Sequence, residues 1–251
     1  KGHAEVVKML IEKGKANVNQ ANQNGDTPLS IAAHKGKIRA VMELLAQGGD
    51  VNVANVNGHT PLFVAELLGH TDIVKELSEY TAHEREIRIF KDSIKAQDAP
   101  AVIGLLETRP SLSNIKLECN LTPLSLAASV GDVAIVRILL EAGTVIDRPG
   151  ANGYTPLHLA AEHGKAAVVE KLLDKGAAVD AAMEDGATSL MLAAQNGHEA
   201  VVETLIEKGK ATVDKANQNG ATSLMLAAQN GHEAVVEKLL DKGAAVDAAM
   251  E

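Results

Sequence analysis

Apolar residues in this chain come in short paired runs separated by polar turns. Between residues 153 and 180, Leu157, Leu159, Ala160 and Ala161 supply one apolar face of a short helix. Val168, Val169, Leu172 and Leu173 follow at i, i+1, i+4, i+5 spacing on a second. Thr155 is a good N-cap for the first helix, and Pro156 fits its first position, where a missing N–H costs nothing. Ala160 and Ala161 allow neighbouring helices to approach closely. Gly164 and Gly176 close the two runs, each permitting the left-handed turn that ends a helix. Residues 177–186 finish on Asp185-Gly186, the turn chemistry of a hairpin-like loop leading onward.

This pattern recurs along the chain. Thr27, Thr60, Thr122, Thr155, Thr188 and Thr222 each open a Thr-(Pro/Ser)-Leu motif, at spacings of 33, 62, 33, 33 and 34 residues. The gap of 62 hides a degenerate copy, in which Phe90, Ile94, Val102, Leu105 and Leu106 take the positions of Leu29, Ala33, Val41, Leu44 and Leu45. A leading half-copy ends near Ala21; six whole or nearly whole copies follow, with a seventh at residues 217–251. Near the C-terminal end the duplication is literal: residues 186–203 recur letter for letter at 220–237, and 171–184 at 238–251. A helix pair of this size cannot bury its own apolar face, so the stack of copies is the folding unit. Because the pattern begins and stops inside a repeat, the chain reads as a segment of a longer array.

The motif Gly153-Tyr154-Thr155-Pro156-Leu157-His158-Leu159-Ala160-Ala161 resembles the ankyrin-repeat family. So do the pairs Gly197-His198 and Gly231-His232, the pairs Val201-Val202 and Leu239-Leu240, and the run Gly243-Ala244-Ala245-Val246-Asp247. The resemblance covers nearly the whole chain. It implies an all-α fold, a curved solenoid of L-shaped helix-turn-helix units joined by hairpin-like loops. Loop tips and first helices would form a concave face that binds other proteins. The organisation expected is ankyrin repeats over residues 1–82 with the first truncated, a degenerate repeat or junction over 83–116, and further repeats over 117–251.

Departures from the motif are informative. Only one copy carries Thr-Pro-Leu-His; Ser30, Phe63, Ser125, Met191 and Met225 stand at the His position, which predicts the loss of a polar tie to the Thr. Glu66 replaces the second alanine of the other copies, which predicts a carboxylate in a crowded site. Residues 78–89 lack both the glycine and the hairpin, and Leu77 to Phe90 spans 13 residues against 18 for Leu44 to Leu62. They read as a helical or tight connection, rich in charge at His83-Glu84-Arg85-Glu86, that bends the array or divides it into two stacks.

Composition narrows the function. The 251 residues are 46% apolar but hold only four aromatics and no Trp, so the core is aliphatic and no base-stacking platform exists. A net charge of −9 repels phosphate backbones, which argues against nucleic acid as a partner. The strongly apolar stretches fall well short of the roughly 20 residues that a bilayer needs. A single cysteine, Cys119, permits no internal disulfide and points to a reducing, intracellular setting, expected to be the cytoplasm. The opening Lys1-Gly2-His3-Ala4 has neither Met nor a signal segment, so the natural N-terminus is expected to lie upstream and targeting is unreadable.

No cofactor or metal is expected. His3, His70, His198 and His232 recur once per copy at the same turn, the mark of a structural role, and packed repeats stand about 10 Å apart. Zinc needs several ligands converging at about 2.0–2.1 Å. His158 and His163 read as structural and surface residues. Cys119 has no neighbouring His to activate it, and the glycines form no phosphate-binding loop. The Glu and Lys residues of the second helices, such as Glu203, Glu207, Lys208 and Lys238, read as a solvated face.

The chain is therefore expected to be no enzyme but a scaffold whose concave face binds another protein or peptide segment. The alternative is a targeting or regulatory arm of a larger enzyme with its catalytic domain elsewhere. The family resemblance implies contact residues around the loop-tip glycine and just before the helix-ending glycine. Here these are Val56, Asn57, His59, Leu67, Leu68, Leu121, Val130, Asn152, Tyr154, Glu162, His163, Gln195, Asn196, Gln229 and Asn230. Ser129, Asp185 and Asn219 occupy equivalent positions. Leu67, Leu68, Leu121, Val130 and Tyr154 are apolar or aromatic where solvent would favour polar residues. The centre is accordingly expected at Tyr154, within residues 120–196.

Overall fold

The computed structural model describes residues 2–117 and 120–246, so Cys119 and the side chain of His3 lie outside what is described. Among the described residues are fourteen α-helices. The chain divides into two compact units, Lys1–Glu86 and Ile87–Glu251.

Six first helices start the same way. α2 (Pro28–His34), α4 (Pro61–Leu67), α7 (Pro123–Val130), α9 (Pro156–Glu162), α11 (Ser189–Gln195) and α13 (Ser223–Gln229) each follow a threonine N-cap. The cap hydroxyl accepts the backbone N–H three residues on. These cap threonines are buried, apart from the half-buried Thr60, so the cap also anchors the loop to the core. At the fourth motif position the polar tie survives wherever a hydroxyl is available: Ser30 Oγ donates to the Thr27 carbonyl at 2.9 Å, and Thr122 Oγ1 donates to Ser125 Oγ at 2.9 Å. The expected loss thus fails for the serine copies, because a short hydroxyl reaches the cap as an imidazole does.

In the first unit, α1 (Gly2–Glu12) packs on α3 (Ile38–Ala46), and α2 packs on both α3 and α4. Leu29, Ala33, Val41, Leu44, Ile73 and Leu77 form its core. Glu66 is exposed rather than crowded: on α4 the position of the second alanine faces solvent.

In the second unit, first helices pack on first helices in the order α7, α9, α11, α13. The second helices α8 (Val133–Glu141), α10 (Ala166–Asp174), α12 (Glu199–Glu207) and α14 (Glu233–Asp241) pack likewise. Leu157 is 1% exposed and in the core, whereas Leu159 is half-buried and outside it, a correction to the apolar face read from spacing. With two helical turns and neighbours on two sides, the inward arc covers Leu157, Ala160 and Ala161 and leaves Leu159 at its edge.

Residues 78–89 are helical throughout, inside α5 (Thr71–Lys95). Glu, Lys and Arg favour the helix, and no Gly or Pro interrupts it. Ile73 and Leu77 at its start belong to the first core, Phe90 and Ile94 near its end to the second. α6 (Ala99–Thr108) then supplies Val102 and Leu106 to the second core, with Leu105 packed at its border. The degenerate copy has thus kept its core positions while losing its hairpin.

Neighbouring copies are tied through polar groups as well as apolar ones. The imidazole Nε2 of His70, His198 and His232 donates to the carbonyls of His34, Glu162 and Gln195, at 3.3, 2.9 and 2.9 Å. Each carbonyl lies at the end of the preceding copy's first helix, where helix geometry leaves it unpaired. Asp147, Asp180 and Asp214 accept the backbone N–H of Ala178, Thr212 and Ala245 in the following copy. Several of the second-helix charges also pair across copies: Lys208 reaches Glu170 and Asp174, and Lys238 reaches Glu199 and Glu203. These exposed pairs add little stability.

Candidate protein-binding face

Loop tips and first helices share one face in each unit. The tips are stitched by backbone bonds: Val56 N–H to the Asn24 carbonyl at 3.0 Å, Glu184 N–H to Asn152 at 3.1 Å, and Gln218 N–H to Asp185 at 3.0 Å. Beside these bonds stand Gly25, Gly153 and Gly186, all at positive φ, where an added Cβ would lie 3.0–3.1 Å from the next tip's backbone nitrogen. Glycine is needed here for close approach as well as for the turn.

In the first unit this face is apolar. Val56 is 72% exposed, Leu67 67%, and Phe63 and Leu68 44% each. Between the first and second copies lies a cleft of about 400 Å³, lined on one wall by Ser30, Ile31 and His34 and on the other by His59, Val64, Leu67 and Leu68. Asn55 fixes its rim: its Nδ2 donates to Asp26 at 3.0 Å, and its Oδ1 accepts the N–H groups of Asn57 and His59. The His59 ring packs on Phe63 with centroids 4.6 Å apart. Phe63 and Ile31 were not among the expected contact residues. The signal for Phe63 was present, since it is the one aromatic at a motif position that elsewhere holds Ser, His or Met.

In the second unit the face is mostly polar. Leu121, Val130 and Tyr154 are half-buried, so the apolar exposure that placed the centre at Tyr154 is smaller there than in the first unit. Tyr154 meets His158 edge-on, with ring centroids 6.3 Å apart. Burial raises the Tyr154 hydroxyl's pKa above its usual value, and the carboxylates of Glu162 and Asp185 add to the shift. Asn152 is exposed at the tip, with φ 56°.

At the ends of the first helices several expected contact residues are occupied locally. Asn196 and Asn230 each donate Nδ2 to the carbonyl four residues back at 2.8 Å, and the His163 Nδ1 donates to Leu159 at 2.9 Å. Ser129 caps the Leu126 carbonyl in the same way. Gln195, Gln229 and Asn219 are exposed, and Glu162 is half-buried.

His158 is fully buried between two copies' backbone groups. Its Nδ1 accepts the Thr155 N–H at 3.1 Å, which leaves Nε2–H to donate to the Ala181 carbonyl at 3.0 Å. Burial holds its pKa below the ordinary value. It ties the start of α9 to the loop that follows the copy's second helix. Among the described residues no group of three or more His, Cys, Asp or Glu could hold a metal, and no helix is long and apolar enough to cross a membrane.

No curated protein matches the chain. A sequence profile of three consecutive ankyrin repeats matches it three times, over residues 1–87, 93–183 and 178–250. The matches take in the capped first helices and the stacked second helices, and they part at residues 88–92, inside the degenerate copy. The chain belongs to the ankyrin-repeat family, whose members generally serve as protein-interaction modules.

Proposed function

We propose that this chain is a protein-interaction scaffold that grips a partner segment with the face made by its loop tips and first helices. What carries the reading is the row Val56, Phe63, Leu67 and Leu68, large apolar side chains left in water beside a cleft that fits side chains of a partner. Solvent-exposed apolar patches of this kind mark binding surfaces. The partner would insert apolar anchors between the first and second copies, with the polar groups of Asn55, Asn57 and His59 forming a hydrated rim. The weight of binding thus falls on residues 24–68 rather than on Tyr154.

The test compares captures from native lysate by wild type, by Val56→Asp/Leu67→Asp, and by Tyr154→Ala/His163→Ala, each checked for helicity. The first pair should abolish recovery of partners identified by mass spectrometry, and the second should only weaken it. Full recovery with Val56→Asp/Leu67→Asp would rule this face out.

A further inference from the structure

The cleft between the first and second copies is polarised along its length. Asp26, just ahead of the Thr27 cap, stands at the loop-tip end, and Lys35, the C-cap of α2, at the other. Among the described residues they are the one carboxylate and the one ammonium that line it, with Ile31 and Val64 lying between them on the two walls. The Asp26 carboxylate is oriented but not used up. Its Oδ1 accepts from Asn55 Nδ2 at 3.0 Å, and its Oδ2 has no hydrogen-bond partner among the described residues. Lys35 is exposed and forms no ion pair with any of them. The helix that the two charges bracket does not require them. An acid ahead of a helix and a cation after it complement the backbone dipole. Yet none of the other five capped first helices has a carboxylate just before its threonine or a lysine at its C-cap. On the opposite wall of the same cleft, His59 and Leu68 take the equivalent places.

Dimensions select the conformation of the occupant. Nine residue steps at about 1.5 Å put the two charges about 13 Å apart. A helix is about 10–12 Å across with its side chains, and 13 Å of one would fill roughly 1,000 Å³, more than twice the volume of about 400 Å³ in the cleft. An extended segment rises about 3.3 Å per residue and turns alternate side chains to one side, so its residues i and i+4 stand about 13 Å apart with i+2 midway. We infer that the cleft takes an extended segment of a partner protein with a Lys or Arg, an apolar residue and an Asp or Glu at alternate positions. The cation meets Asp26, the carboxylate meets Lys35, and the apolar side chain enters between Ile31 and Val64. This assignment rests on the reading of this face as the binding face. The charged ends set the register and direction of the segment, while the apolar middle supplies the burial.

The experiment selects random dodecapeptides displayed on phage against the whole chain and reads the sequences that are enriched. Wild type should enrich, by about tenfold or more over the starting library, a basic and an acidic residue four positions apart with an apolar residue midway. Asp26→Asn keeps the oxygen that Asn55 bonds, so the fold is preserved, and it should erase the basic preference alone. Lys35→Gln, at an exposed position, should erase the acidic preference alone. Leu67→Asp, also exposed, should abolish selection. Three results would overturn the assignment while leaving the binding face standing, provided that Leu67→Asp still abolishes selection: apolar sequences without the charged pair, charges eight or nine positions apart as a helix would place them, or preferences unchanged in Asp26→Asn and Lys35→Gln. Enrichment indifferent to Leu67→Asp, or no enrichment at all, would overturn the assignment and the face together.

Discussion

The imidazole Nε2 of His198 sits 2.9 Å from the backbone carbonyl of Glu162, a residue of the preceding copy. The ring also packs so closely on Gly164 that a Cβ there would lie 2.8 Å from His198 Nδ1. His232 and His70 repeat the arrangement with Gly197 and Gly36. In these three copies one histidine thus closes a helix end left open by its neighbour, and the glycine serves both the left-handed turn and the ring's seat.

His198→Ala should therefore lower stability by about 1–2 kcal/mol, since it removes a hydrogen bond and orphans a helix-end carbonyl. Gly164→Ala should lower it also, through both the positive φ of 68° and the clash. Urea unfolding measures both; midpoints equal to wild type would contradict the tie.

At the first helical position, α11 and α13 carry Ser189 and Ser223 where four other copies carry Pro. Ser189 is fully buried, and among the described residues its hydroxyl has no hydrogen-bond partner. Thr188 ahead of it is extended, φ −109° and ψ 166°, a conformation that proline tolerates in the residue before it. Ser189→Pro should raise stability by about 0.4–1 kcal/mol by restricting the unfolded chain, with a further gain from removing the orphaned hydroxyl. A lowered denaturation midpoint would show that the Ser189 N–H is needed.

Leu157 and Leu159 separate core from border on one helix. Leu157→Ala should cost about 2–5 kcal/mol, whereas Leu159→Ala, at a half-buried site, should cost clearly less. Equal losses in chemical denaturation would place both in the core.

Such pairs show where the sequence was legible. Period, cap and turn residues specify stacked helix pairs because each acts locally, and core residues as far apart as Phe90 and Val102 could be placed by register even in the copy without a hairpin. Exposure on a helix edge depends on which neighbour covers it. That is why Leu159 and Glu66 were misjudged, why Tyr154 is half-buried, and why Leu67 and Leu68 emerge as the larger apolar surface. Phe63 was visible as an anomaly of the motif but acquires meaning only beside His59 and the cleft.

His158 supplies a pH dependence. Burial is the main cause of its depressed pKa, outweighing the carbonyl bonds that pull the other way. With the folded value below the unfolded one, the unfolded chain takes up the proton first. The stabilisation is complete above about pH 6.5 and declines as pH falls through the depressed folded value. Between about pH 7.5 and about pH 5, wild type should lose more stability than His158→Gln, which cannot titrate. Identical losses in the two proteins would refute a titrating role for this side chain.

The most direct test of the binding face is a photo-crosslinking phenylalanine analogue placed at Leu67, compared with the same analogue at Lys75, an exposed position on α5. Irradiation in native cells should give a discrete protein adduct from position 67 that disappears with Val56→Asp, and none from position 75. Adducts of equal yield from both positions, or from position 75 alone, would contradict the assignment of this face.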